Sequence, residues 1–181
     1  MTIEEIEELV NLEQNETLTK NDLFSILKKE ASSIDIWKIM KATDFLKEDA
    51  KYMQSPYREE YIERFSKAFL TRIKDLKDDK DDYEGDVDVA KLKDFLKVLE
   101  LQWEEAKSVN EQCFLKIARV IALYSTFIRE EPVHPVGTSF PGGFKLRYVG
   151  GQYLCPVKQK QLDTPSALCR FCVSVQDPDV D

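Results

Sequence analysis

Residues 110–128 read NEQCFLKIARVIALYSTFI, and this stretch decides the fold that the sequence predicts. A helix that is apolar all round must be enclosed by other elements. Its most apolar part, Ile117 to Ile128, is too short to span a bilayer and contains Arg119. It therefore predicts the central helix of a bundle. Its apolar residues would lie on nearly every side of the helix: Phe114, Leu115, Ile117, Ala118, Val120, Ile121, Leu123 and Phe127.

Five segments before this stretch carry apolar residues at spacings of three and four, as helices that bury one face do. Three of them begin at start signals: Thr2 with Glu5, Thr19 with Asp22, and the pair Ser55-Pro56. The sequence thus predicts a mainly α fold, a bundle of about six helices over residues 1–131. Residues expected to face inward in the third and fourth helices are Ile36, Trp37, Ile39, Met40, Phe45, Leu46, Tyr57, Tyr61, Phe65, Phe69, Ile73 and Leu76.

The most deeply buried residues are expected in the last three predicted helices. They are Phe65, Phe69, Leu96, Phe114, Ile117 and Ile121.

Charge is unevenly distributed. The chain carries a net charge of −8, yet residues 129–181 contain six basic and six acidic side chains, so the excess of acid lies in residues 1–128. An acidic surface repels phosphate backbones, which argues against nucleic acid as a partner. The segment Lys77–Asp88, KDDKDDYEGDVD, is too charged to bury and predicts an exposed loop.

The composition changes after Pro132, where prolines and glycines become frequent. Residues 134–143, HPVGTSFPGG, predict an irregular loop, because proline fixes φ and lacks an N–H donor. Residues 144–157, FKLRYVGGQYLCPV, predict a β-hairpin that turns at Gly150-Gly151 and pairs Tyr148 with Tyr153. Residues 132–181 are thus expected to form a C-terminal segment packed on the bundle, with a loose tail from Gln176.

A metal site is predicted within this C-terminal segment. His134 is the only histidine of the chain, and Cys155, Cys169 and Cys172 follow it within 39 residues. Three thiolates and one imidazole are a complete tetrahedral ligand set for zinc, and an iron–sulfur cluster is the less favoured alternative. Cys113 lies in the predicted central helix and is expected to be a small buried hydrophobic residue.

The acidic N-terminus, MTIEEIEEL, is unlike the basic start of a signal peptide and predicts a cytoplasmic protein without a membrane partner. Thiols stay reduced in that compartment, which favours metal binding over structural disulfides. With one histidine, a Ser-His-Asp triad would have to compete with the metal for His134.

Three motifs together resemble a domain-of-unknown-function family of small proteins from methanogenic archaea: HPVGTSFPGGFKLRY, YLCPVK and ALCRFCVSVQD. The resemblance is densest over residues 132–177. It implies a cytoplasmic archaeal protein and supplies neither an activity nor site residues.

The sequence favours a non-enzymatic binding protein, with an unidentified protein partner, whose C-terminal segment is held by structural zinc. Two alternatives stay open. One is a metal-dependent enzyme with an open coordination position. The other is a thiol redox protein that uses the Cys169/Cys172 pair.

Overall fold

The computed structural model of the chain describes residues 17–180. Over these residues the fold is mainly helical, as predicted, with a small C-terminal sheet. The first predicted helix, which begins at Thr2, lies outside the described residues. No helix in this part of the chain is long and apolar enough to cross a membrane. The helices are α1 Lys20–Ser32, α2 Ile36–Asp49, α3 Tyr57–Asp78, α4 Val89–Glu104, α5 Val109–Leu123 and the short α6 Lys158–Gln161.

Side-chain caps fix where most of these helices begin. The Thr19 hydroxyl accepts a hydrogen bond of 3.1 Å from the Asp22 backbone N–H, and Asp35, Asp88 and Ser108 cap α2, α4 and α5 in the same way. Each cap satisfies a backbone donor that the first helical turn leaves free. The cap predicted at Ser55 is wrong, because Pro56 occupies the N-cap position of α3 and makes no side-chain cap bond.

The predicted central helix is confirmed. α5 continues directly into a π-helix, Tyr124–Arg129, and every residue from Val120 to Ile128 is buried. Ile117 and Ile121 are 2% and 1% exposed, which confirms their predicted place in the core. Only a helix surrounded by other elements can bury consecutive residues in this way.

The prediction of deep burial is wrong for Phe65, Phe69 and Phe114, which are only partly buried. α3 places its fully buried residues in its C-terminal half, at Ile73 and Leu76. The three phenylalanines instead form a row at the side of the bundle, with ring centroids 6.5 Å and 4.9 Å apart.

The inward face predicted for α2 is also partly wrong. Ile36, Trp37 and Met40 are 62%, 69% and 51% exposed, whereas Ala42 and Leu46 are buried. Apolar residues lie on several sides of α2, so the sequence did not determine which side packs. The small Ala42 side chain lets the helix approach its neighbours closely.

The predicted acidic loop is exposed over most of its length, as expected, but Asp79 departs from this pattern. Its carboxylate is 4% exposed and accepts hydrogen bonds from the hydroxyls of Tyr83, at 2.6 Å, and Tyr124, at 2.5 Å. Burial alone would raise the pKa of Asp79, but the bonds from Tyr124 and Tyr83 outweigh it and hold that pKa below its usual value. Asp79, the first residue after α3, therefore connects the loop to the buried π-helix through the Tyr124 hydroxyl.

The predicted hairpin is confirmed. β1 Arg147–Val149 and β2 Gln152–Cys155 pair antiparallel, with Tyr148 opposite Tyr153. Gly150 and Gly151 have φ of 59° and 83°, the positive values that a two-residue turn of this kind requires.

A third strand was not predicted. β3 Val175–Gln176 pairs parallel to β2, and the prediction of a loose tail from Gln176 is wrong. Asp177 is buried and accepts two hydrogen bonds from the Arg147 guanidinium, at 3.0 and 2.6 Å. This ion pair fastens the chain end to β1.

Candidate thiol and metal site

Cys155 occupies the end of β2, where Pro156 stops the strand because it cannot donate to the ladder. The chain then turns back, and the backbone N–H groups of Val157 and Lys158 act to lower the pKa of Cys155. The side chain is buried. The turn thus places two backbone donors against one sulfur atom.

Cys169 lies on a 3₁₀ turn, Leu168–Phe171, and Cys172 follows this turn directly. Lys158 Nζ donates hydrogen bonds to the backbone carbonyls of both cysteines, with a distance of 2.8 Å to the Cys172 oxygen. The Cys172 sulfur is 3.1 Å from the Ser174 hydroxyl oxygen. Lys158 therefore joins the turn after Cys155 to the cysteine pair.

The three thiols are free and act electrostatically on one another. Burial is the main cause that raises the pKa of Cys155, and Cys172 raises it further. Burial also leads in raising the pKa of Cys169, followed by Cys172 and Cys155, while Lys158 acts in the opposite direction. Cys155 and Cys169 are therefore neutral thiols at neutral pH.

His134 packs among aromatic side chains and does not join the turn held by Lys158. Its ring makes edge contacts with Phe65 of α3, at 5.9 Å between centroids, and with Phe140, at 5.4 Å. Burial lowers the pKa of His134 to about 4, so the imidazole is neutral at physiological pH.

The structure thus brings together three of the four predicted ligands and leaves His134 against the bundle. Within residues 17–180, no group of three or more His, Cys, Asp or Glu side chains is arranged to hold a metal ion. The zinc site stays a prediction. Cys113, expected to be buried, is only partly so.

Sequence reasoning missed the polar residues that support the thiols. The Gln176 side chain accepts a hydrogen bond of 2.9 Å from the Gln159 N–H and donates one of 3.3 Å to the Pro156 carbonyl. It thereby fixes the turn after Cys155. Among these polar residues, only Lys158 could have been noticed in the sequence, because it follows the Cys155-Pro156 pair closely.

A groove of about 460 Å³ lies beside the cysteine pair. Cys172 and Phe171 line it together with Lys91 and Phe127 of the bundle, and carboxylates and cations both occur among its remaining residues. Access to the thiol cluster from this groove is through Cys172.

These features define a helical bundle that carries a small three-stranded sheet and a cluster of three cysteines. The chain belongs to the family described as "Uncharacterized protein conserved in archaea (DUF2115)", which it matches over residues 19–177. The resemblance to a family from methanogenic archaea is therefore confirmed.

Relatives named UPF0305 protein occur in several methanogens. One from Methanothermobacter thermautotrophicus is 55% identical over 163 residues, which cover 90% of this chain and 99% of the relative. Another from Methanocaldococcus jannaschii is 33% identical, over 84% of this chain and 93% of the relative. No solved structure matches the chain. The names of these relatives state no function, so the function proposed below rests on the residues of this chain.

Proposed function

We propose that Cys155, Cys169 and Cys172 bind one zinc ion and that the protein is a zinc-stabilised binding protein. The observation that supports this most is the gathering of three reduced thiols around the turn fixed by Lys158. Soft thiolate ligands select zinc and iron–sulfur clusters over hard cations. The N–H groups directed at the Cys155 sulfur would stabilise it as a thiolate.

Binding would require the thiols to turn towards one point, since the described residues are not arranged around an ion. A cysteine side chain reaches three staggered positions by rotation about one bond, and binding would use this rotation. The three thiols would lose their protons as the metal binds.

Zinc would fasten a region that has little regular structure of its own. The segment from β2 to β3 contains strands of four and two residues, a helix of four and a 3₁₀ turn of four. Elements this short are marginal without further support, and a structural zinc ion contributes folding free energy directly. The ion would hold the sheet in place for a binding role.

The fourth coordination position is the point at which the alternatives diverge. With His134 against Phe65, three protein ligands leave room for a water molecule. The groove beside Cys172 favours a metal-dependent enzyme as the second candidate, because a substrate in it would meet the ion. Redox exchange by Cys169 and Cys172 is less well supported, since burial raises the pKa of Cys169 whereas reactive thiols have a lowered one.

Thiol protection tests the proposal. Native protein with and without zinc is treated with an alkylating reagent, and mass spectrometry identifies the modified cysteines. Zinc is expected to protect Cys155, Cys169 and Cys172 together and to leave the reactivity of Cys113 unchanged. Equal labelling with and without zinc would contradict the proposal, and protection of Cys169 and Cys172 alone would exclude Cys155.

A further inference from the structure

A second groove, of about 500 Å³, lies between α3 and the loop of residues 135–145. It shares no lining residue with the groove beside Cys172. Arg64, Lys67 and Thr71 face it from α3 at spacings of three and four, which places them on one side of the helix. Ser139 and Lys145 face it from the loop.

The charge of this groove is opposite to that of the chain. The chain has 34 acidic and 26 basic residues, yet the groove is lined by three cations and no carboxylate. Arg64 is paired with Glu60, one turn away on α3. Across the described residues, 17–180, the side chains of Lys67 and Lys145 make no ion pair or hydrogen bond. Cations that face one groove repel each other, and a bound anion would relieve that repulsion.

The loop wall of the groove is held in shape before any ligand binds. Hydrogen bonds join Gly137 N–H to the Leu146 carbonyl at 2.8 Å, and Leu146 N–H to the Thr138 carbonyl at 2.9 Å. A backbone bridge pairs Ser139 with Lys145, so the hydroxyl and the ammonium come from adjacent chain segments. A wall that is already ordered loses little conformational entropy on binding.

His134 anchors this wall to the bundle. Its ring lies between Phe65 of α3 and Phe140 of the loop. These contacts connect α3 to the loop through residues that are next to those lining the groove. The histidine therefore has a packing role at this groove.

We propose that this groove binds a small molecule through a phosphate group. One guanidinium, two ammonium groups and the hydroxyls of Thr71 and Ser139 supply hydrogen-bond donors of the kind that recognise phosphate oxygens. The acidic body of the chain disfavours a long nucleic-acid backbone, whereas a small ligand meets only the groove. This site is independent of the thiol cluster.

Calorimetric titration of the full chain with inorganic pyrophosphate, at constant ionic strength set with chloride, tests the proposal. Lys67→Gln and Lys145→Gln should each weaken binding by about tenfold, since each removes one charged donor. Lys97→Gln is the matched control, because Lys97 is an exposed lysine of α4, paired with Asp94 and outside the groove. It should change the affinity by less than about twofold. Thermal unfolding of each variant verifies that it folds.

Three results would overturn the proposal. The first is pyrophosphate binding weaker than about 10 mM in the unmodified protein. The second is an equal loss of affinity in the control variant, which would mean that pyrophosphate is attracted by surface lysines in general and is not bound in the groove. The third is tighter binding of citrate or of a single-stranded oligonucleotide than of pyrophosphate, which would assign the groove to carboxylates or to nucleic acid.

Discussion

The buried carboxylate of Asp79 offers a sharp test of how the bundle is held together. Tyr124→Phe removes one hydroxyl from a side chain that is 0% exposed, and with it the hydrogen bond of 2.5 Å to Asp79. Hydrogen bonds to charged groups contribute about 1.5–3 kcal/mol, so the free energy of unfolding should fall by about that amount at pH 7. Tyr83 and the Asp81 N–H still hydrogen-bond to the carboxylate, so the loss should not exceed this range.

The pH dependence of this loss follows from the lowered pKa of Asp79. A carboxyl whose pKa is lower in the folded state stabilises the protein above its unfolded pKa and loses that contribution as pH falls through the folded pKa. The difference between wild type and Tyr124→Phe should therefore shrink as the pH falls below about 4.

Urea unfolding at pH 7 and in this acidic range measures both effects. Tyr52→Phe is the control, because that residue is 87% exposed. A loss below about 0.5 kcal/mol at pH 7, or a loss that does not change with pH, would refute the reasoning.

Two further predictions concern the core and the sole histidine. Ile121→Ala should lower the free energy of unfolding by about 2–5 kcal/mol in chemical denaturation, because it leaves a cavity at a side chain that is 1% exposed. A loss below about 1 kcal/mol would mean that α5 is not central. His134 should titrate by NMR near its pKa of about 4, and stability should fall by up to about 3 kcal/mol between pH 6.5 and 4, because there only the unfolded chain binds the proton. A pKa near 6.5 would show that His134 is exposed to solvent.

The sequence predicted those elements whose pattern depends on local chemistry. The apolar run around Ile121 and the paired glycines at 150 and 151 each allow one structure, a buried helix and a tight turn. The side of α2 that packs depends on its neighbours, so the exposure of Trp37 could not be foreseen from spacing alone.

Contacts between residues that are far apart in the sequence could not be predicted either. Asp177 lies in the tail that was predicted to be loose, and its burial depends on Arg147, thirty residues earlier. The candidate site shows the same limit. Lys158 joins the pair Cys169/Cys172 to the turn after Cys155, whereas the lone His134 packs against Phe65 of α3, and neither contact follows from residue spacing.

Zinc content per chain tests the central proposal most directly. Protein purified without oxygen is analysed for zinc alongside the variants Cys172→Ser, Cys113→Ser and His134→Gln. The account predicts one zinc ion in the wild type, in Cys113→Ser and in His134→Gln, and none in Cys172→Ser. A full equivalent of zinc in Cys172→Ser would contradict the three-cysteine site, and loss of zinc from a folded His134→Gln protein would restore histidine as its fourth ligand.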